Sequence, residues 1–181
     1  MPTVLTHPAL PLAIGLGLGR GIIAPRLLVA GVAASILPDL DVLAFRLGVP
    51  YGSPLAHRGL SRSLFFAALV ALLGAGCHRL LKTRPAVAFV FLLVATASHG
   101  ILDAFTNGGL GIAFLWPFSS ERYFAPYQVI EVSPIGISRF LSSRGATVLE
   151  SELLWVWVPC IVLGVALTNL RWRSRVKMPQ T

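Results

Sequence analysis

Four stretches of the sequence, residues 27–47, 63–81, 85–105 and 153–170, are apolar over about the length a helix needs to cross a bilayer, ~20 residues for a ~30 Å hydrocarbon core. A fifth, residues 4–18, is shorter and rich in glycine. Nothing constrains the chain more. In hydrocarbon every backbone N–H and C=O must find its partner inside the protein, so apolar runs of this kind become helices. Only 12% of the residues are charged, against roughly 25% in a soluble domain. The expected fold is all-α: one membrane-embedded domain over residues 1–181, a polytopic transmembrane bundle of four to five helices. The short first segment is either a span or a tilted, partly inserted helix. Residues 107–152 are too polar to span and too apolar for a plain linker. They are expected to form an ordered extracytoplasmic cap with short helices near Ile135–Ser142 and Ala146–Glu152.

Charge orients the bundle. If all five segments cross, one side carries Arg20, Arg26, Arg79, Lys82, Arg84, Arg171, Arg173, Arg175 and Lys177, and no acid. The other side carries Arg46, Arg58, Arg62, Arg122, Arg139 and Arg144 together with Glu121, Glu131, Glu150 and Glu152. The positive-inside rule puts the first side, and the C-terminus, in the cytoplasm. The net charge of +8 is thus a topology signal, with a secondary attraction for anionic lipid headgroups. No nucleic-acid-binding motif accompanies it. Cys77 and Cys160 lie inside apolar runs and read as small hydrophobes. No basic residue precedes Arg20, so a cleaved signal peptide is not expected.

The ionisable residues in or beside the apolar runs carry the functional information. Asp39 and Asp41 interrupt the second run, His99 and Asp103 end the fourth, and His7 opens the first. Such groups cost several kcal/mol in hydrocarbon and are rare there unless paired or functional. With the orientation above, Asp39 lies twelve residues (39 − 27) into its segment, or ~18 Å, and His99 fourteen (99 − 85), or ~21 Å. His7, Asp39, His57, His99 and Asp103 therefore reach one level, near the outer surface.

Each small pattern has a plain and a chemical reading. His99 and Asp103 stand at i and i+4, on one helical face, where they can chelate a metal or bond each other. Asp39 and Asp41 would diverge by ~200° in a regular helix. Pro38 loosens that turn, so both can face one site, or they mark a helix end and pair with Arg46 or Arg58. Arg58 and Arg62 suit a phosphate, or are ordinary interfacial arginines. Thr6-His7-Pro8 is also a helix start, and His78 falls at the opposite end. Taken together, the imidazoles and carboxylates suit a divalent metal in a mixed N/O site, Zn²⁺ first and Mn²⁺ second, and hydrolysis is the natural chemistry.

At these residues the chain resembles the YdjM-like, LexA-regulated group of bacterial inner-membrane metal-dependent hydrolases. The resemblance rests on Thr6-His7, on Leu37-Pro38-Asp39-Leu40-Asp41, on His57-Arg58-Gly59 with Ser63, on His99, Asp103 and Thr106, and on Pro117-Phe118-Ser119 with Arg122-Tyr123. It runs in order over most of the chain. One position departs: Arg62 stands where the group's H-R-G-x-x-H-S pattern has its second His.

The expected function is a multi-pass inner-membrane hydrolase with its site towards the outer face. His7, Asp39, His99 and Asp103 are the metal candidates, and His57 and Asp41 the catalytic ones. His57 would complete the shell or act as acid/base. Arg58, Arg62 and Arg122 are the substrate-binding candidates. The expected partners are membrane lipids and a lipid-linked or other amphiphilic phosphoester. The competing readings are a transporter or ion pathway using the same groups, disfavoured because they all lie at one level, and a structural membrane protein whose acids pair with Arg58, Arg62 or Arg122.

Overall fold

A computed structural model describes residues 1–42, 48, 58–134 and 140–176. Among these residues the protein is helical, with two isolated β-bridges and no strand. The helices are α1 (Ala9–Leu18), α2 (Pro25–Ile36), α3 (Leu64–Gly76), α4 (Pro85–Ala104) and a long α5. α5 runs from Ser143–Glu152 through a π-helical turn, Leu153–Trp157, into Val158–Val176. Its first ten residues therefore extend the last apolar helix, where the sequence suggested a separate cap helix.

Local chemistry sets the boundaries. Pro25 and Pro85 occupy the first turns of α2 and α4, where a missing N–H costs nothing. Ser63 caps α3, its Oγ accepting from the Phe66 N–H at 3.0 Å. α1 stops at Gly19, whose φ of 74° lies in the left-handed region. α2 stops at Ile36 because Pro38 follows, and a 3₁₀ segment, Leu37–Val42, takes over. α3 stops at Gly76, short of the apolar run's end at 81, and a turn containing Lys82 at φ 52° leads into α4.

α4 is the central helix. It packs against α2 and α3, while α1 packs against α5. The core between them holds Leu27, Ala34, Ala71, Ala88, Phe91 and Leu92. Small residues let the backbones approach: a Cβ on Gly74 would stand 2.0 Å from Leu92 Cδ1. α5 instead leaves Leu153, Leu154, Trp155, Ile161, Val162 and Val165 exposed, an apolar face suited to lipid.

Among the described residues two helices are long and apolar enough to cross a membrane, Pro85–Ala104 and Ser143–Ser174, while Ala9–Leu18 and Leu64–Gly76 are shorter apolar helices. The described part of the 107–152 region is held by backbone pairs. Ile112 and Tyr123 exchange N–H···O bonds of 2.8 and 3.0 Å, and the Asn107 N–H reaches the Ile130 carbonyl at 3.0 Å.

Candidate metal centre

Four separate pieces of chain deliver the site. The N-terminal turn brings His7. Its anchor is Glu152, whose carboxylate accepts from Thr3 Oγ1 at 2.7 Å, from Thr6 Oγ1 at 2.6 Å and from the Thr3 N–H. Glu152 is 1% exposed, and Trp157 Nε1 adds a bond to Thr6 Oγ1 at 3.3 Å. The sequence reading missed this carboxylate. Its signal was an acid immediately before the last apolar run.

The 3₁₀ segment after α2 brings Asp39 and Asp41. The tighter turn lets both carboxylates face one partner, the Arg62 guanidinium. A second short 3₁₀ segment, Leu60–Arg62, delivers that guanidinium. It can lie on α4 only because residue 100 is glycine: a Cβ there would stand 2.8 Å from the Arg62 carbonyl oxygen. α4 itself presents His99 and Asp103, both fully buried.

Arg62 is the hub. Its Nη2 donates to Asp39 Oδ1 at 2.9 Å, its Nη1 to Asp41 Oδ2 and its Nε to Asp103 Oδ2. Ser61 Oγ donates to Asp41 at 2.7 Å. Beside this ion cluster the His7 and His99 rings stack at 3.6 Å, 11° from parallel. His99 Nε2 lies 3.3 Å from Asp39 Oδ1 and 3.6 Å from Asp103 Oδ2, and His7 Nε2 lies 3.8 Å from Asp39 Oδ2.

One hydrogen bond sets which His99 nitrogen faces the carboxylates. His99 Nδ1 sits 2.7 Å from the Ser35 carbonyl oxygen, so Nδ1 carries the proton and donates it. In the neutral ring Nε2 then holds a lone pair aimed at two carboxylates. That contact is repulsive unless a proton or a metal lies between. An imidazole fixed through its far N–H in this way is the usual arrangement of a metal-ligating histidine. Both ring nitrogens of His7, Nε2 of His99, Oδ2 of Asp39 and Oδ1 of Asp103 are buried without a hydrogen-bond partner, and such groups are costly to leave unmet. Ligand atoms of His7, His99 and Asp103 all lie within 4.8 Å of one another. Asp39, Asp41 and Asp103 all bond the Arg62 guanidinium. The donors present fit a divalent metal ion.

The cluster has a closed floor and a more open rim. His99 and Asp103 have no exposed side-chain surface, whereas Asp39 and Asp41 keep 9% and 8%. Leu37, Leu40 and Val42, beside that rim, are exposed.

Two further candidates stand elsewhere. Arg58, at φ 67°, donates to the Leu110 carbonyl at 2.6 Å and to Thr106 Oγ1 at 3.0 Å, and Thr106 Oγ1 in turn donates to the Asp103 carbonyl at 2.7 Å. Arg122 Nη1 donates to the carbonyls of Arg58 and Gly111 at 3.1 and 3.2 Å. The structure thus brings His7, Asp39, Asp41, Arg62, His99 and Asp103 together, with Arg58 and Arg122 in the adjoining backbone. His57 and Arg46 lie outside the described residues.

No solved structure matches the chain. A curated relative, inner membrane protein YbcI of Escherichia coli (strain K12), is 48% identical over 176 residues, covering 97% of this chain and 100% of the relative. The YdjM inner membrane protein family matches residues 1–175. With that match spanning nearly the whole sequence, the chain belongs to the YdjM inner membrane protein family.

Proposed function

We propose that this inner membrane protein is a metal-dependent hydrolase of a lipid-linked or similarly amphiphilic phosphoester. The observation that carries the reading is the buried group of uncommitted imidazole and carboxylate atoms on His7, Asp39, His99 and Asp103. Bound among them, Zn²⁺ or Mn²⁺ would lower the pKa of a coordinated water and polarise a phosphoryl oxygen.

The protein's own groups supply the rest. The Ser35 carbonyl holds the His99 ring with Nε2 inward. Arg62 keeps three carboxylates from repelling one another, and one of its N–H groups can transfer to a substrate oxygen. Asp41, at the rim and held by Ser61 Oγ, is placed to take a proton from water. His57 is the other acid/base candidate, and Arg58 and Arg122 the outlying anion-binding groups. Exposed Leu37, Leu40 and Val42 at the rim favour a substrate arriving from the bilayer. In this reading four to five segments cross, the C-terminus is cytoplasmic and the site faces outward.

The test is metal content and phosphoester turnover of detergent-purified protein, wild type beside Asp103→Asn. Stoichiometric metal in the wild type, lost with turnover in the variant, supports the reading. No retained metal after reloading with Zn²⁺ and Mn²⁺ ends it. The three-way bridge of Arg62 favours the second reading, a structural ion cluster neutralised from within; it predicts no metal in any preparation.

A further inference from the structure

The opposite end of the molecule carries a second feature. A cavity of about 720 Å³ there is lined by Arg20, Arg79, Lys82, Arg84 and His78. Ile22 and Val87 line it too, and both also line an apolar groove of about 490 Å³. That groove runs between α1 and α4, with Ile14 and Leu18 on one wall and Val90, Phe91 and Val94 on the other. A cationic cavity and an apolar trough therefore adjoin, sharing Ile22 and Val87.

Among the described residues the four cations have no acid beside them. No acid occurs in residues 19–26, 77–84 or 171–181. Among the described residues none of the four makes an ion pair, while the neighbouring Arg26 and Arg171 reach the carbonyls of Leu80 and Leu16 at 3.3 and 3.4 Å. All four are exposed and open to an anion from outside. A soluble anion would suit the cavity but leave the trough unfilled. A zwitterionic lipid would fill the trough but bring no net charge.

We propose that this junction holds one anionic diacyl phospholipid, its phosphate among Arg20, Arg79, Lys82 and Arg84 and an acyl chain in the α1–α4 groove. Each cation near a membrane surface raises affinity for an anionic headgroup roughly fivefold. The site lies at the far end of α4 from His99 and Asp103 and does not depend on what the metal centre does.

The experiment is lipid retention by the full chain in neutral detergent, read by native mass spectrometry with phosphatidylglycerol and phosphatidylcholine as probes. Wild type should keep one phosphatidylglycerol in preference to phosphatidylcholine. Arg79→Gln with Arg84→Gln should weaken that retention about thirtyfold, roughly fivefold for each cation. Val90→Trp, at an exposed position of the groove wall, should weaken it with every charge intact. Arg173→Gln, at the same end but outside the cavity, should change nothing. All four substituted positions are exposed, and circular dichroism of each variant checks the helices. Equal retention of the two lipids, no effect of the double arginine variant, or an equal effect of Arg173→Gln would overturn the proposal. So would displacement of the lipid by millimolar inorganic phosphate with Val90→Trp unchanged, which would make the cavity a free-anion site.

Discussion

Replacing Arg62 by alanine is the most informative perturbation of the carboxylate cluster. The side chain is buried and bridges Asp39, Asp41 and Asp103. Its removal leaves three carboxylates facing one another around a void. Removing one partner of a buried ion pair costs ~3–5 kcal/mol, because the remaining charge is uncompensated. For a chain of this size each kcal/mol moves the midpoint by roughly 2–4 °C, so thermal unfolding in detergent with a chelator should fall by roughly 6–20 °C. The same change removes one positive charge from beside the three acids. A divalent cation should then bind more tightly and restore stability by mass action, ~2.7 kcal/mol at a hundredfold excess over Kd. The assay is circular-dichroism melting of wild type and Arg62→Ala, with EDTA and with Zn²⁺. An unchanged midpoint in EDTA would refute the hub role of Arg62. A large loss that Zn²⁺ leaves uncorrected would refute the cation site proposed at His99 and its neighbours.

Arg62→His restores the residue of the family pattern and should raise metal content above wild type, measured by elemental analysis. Glu152→Ala removes the acceptor of three donors from Thr3 and Thr6, at ~1–3 kcal/mol for each buried donor left unmet; metal retention should fall with the α5 helix intact by circular dichroism. Gly100→Ala places a Cβ 2.8 Å from the Arg62 carbonyl and should lower the melting midpoint and metal retention together. A reporter inserted near Ser119 should read as outside and one after Thr181 as cytoplasmic; the reverse pattern would invert the orientation.

Much of the site could be read in the sequence because intramembrane charge is costly wherever it falls. Asp39, His99 and Asp103 stood out for that reason alone, and helix rise brought them to one level. Pro38 forecast the broken helix that turns Asp39 and Asp41 to one partner. The role of Arg62 was half legible, since pairing with the acids was one of the readings open to it. Its neighbours in sequence suggested a phosphate ligand, and only the packing of the Leu60–Arg62 turn on Gly100 shows it reaching three acids on two other elements. Glu152 was hidden in the same way. A polar residue at a segment boundary carries no sign of a partner 149 residues away. Segment lengths were only partly legible, since α3 ends at Gly76, before the His78 and Arg79 that interrupt the last residues of the 63–81 run.

The tie between Thr3, Thr6 and Glu152 has a consequence for biosynthesis. His7 leaves the ribosome long before Glu152, the carboxylate that fixes its turn, which lies beside the 153–170 apolar stretch. Until that stretch enters the bilayer, the imidazole has no fixed position over His99. The cluster can therefore take its final form only after residue 152 is made, when the 4–18 and 153–170 segments meet as α1 and α5. Nascent chains halted before residue 152 would carry Asp39, His99 and Asp103 in the membrane without their stacked partner. If the centre takes an ion, its capture would report that the chain has been inserted as far as α5.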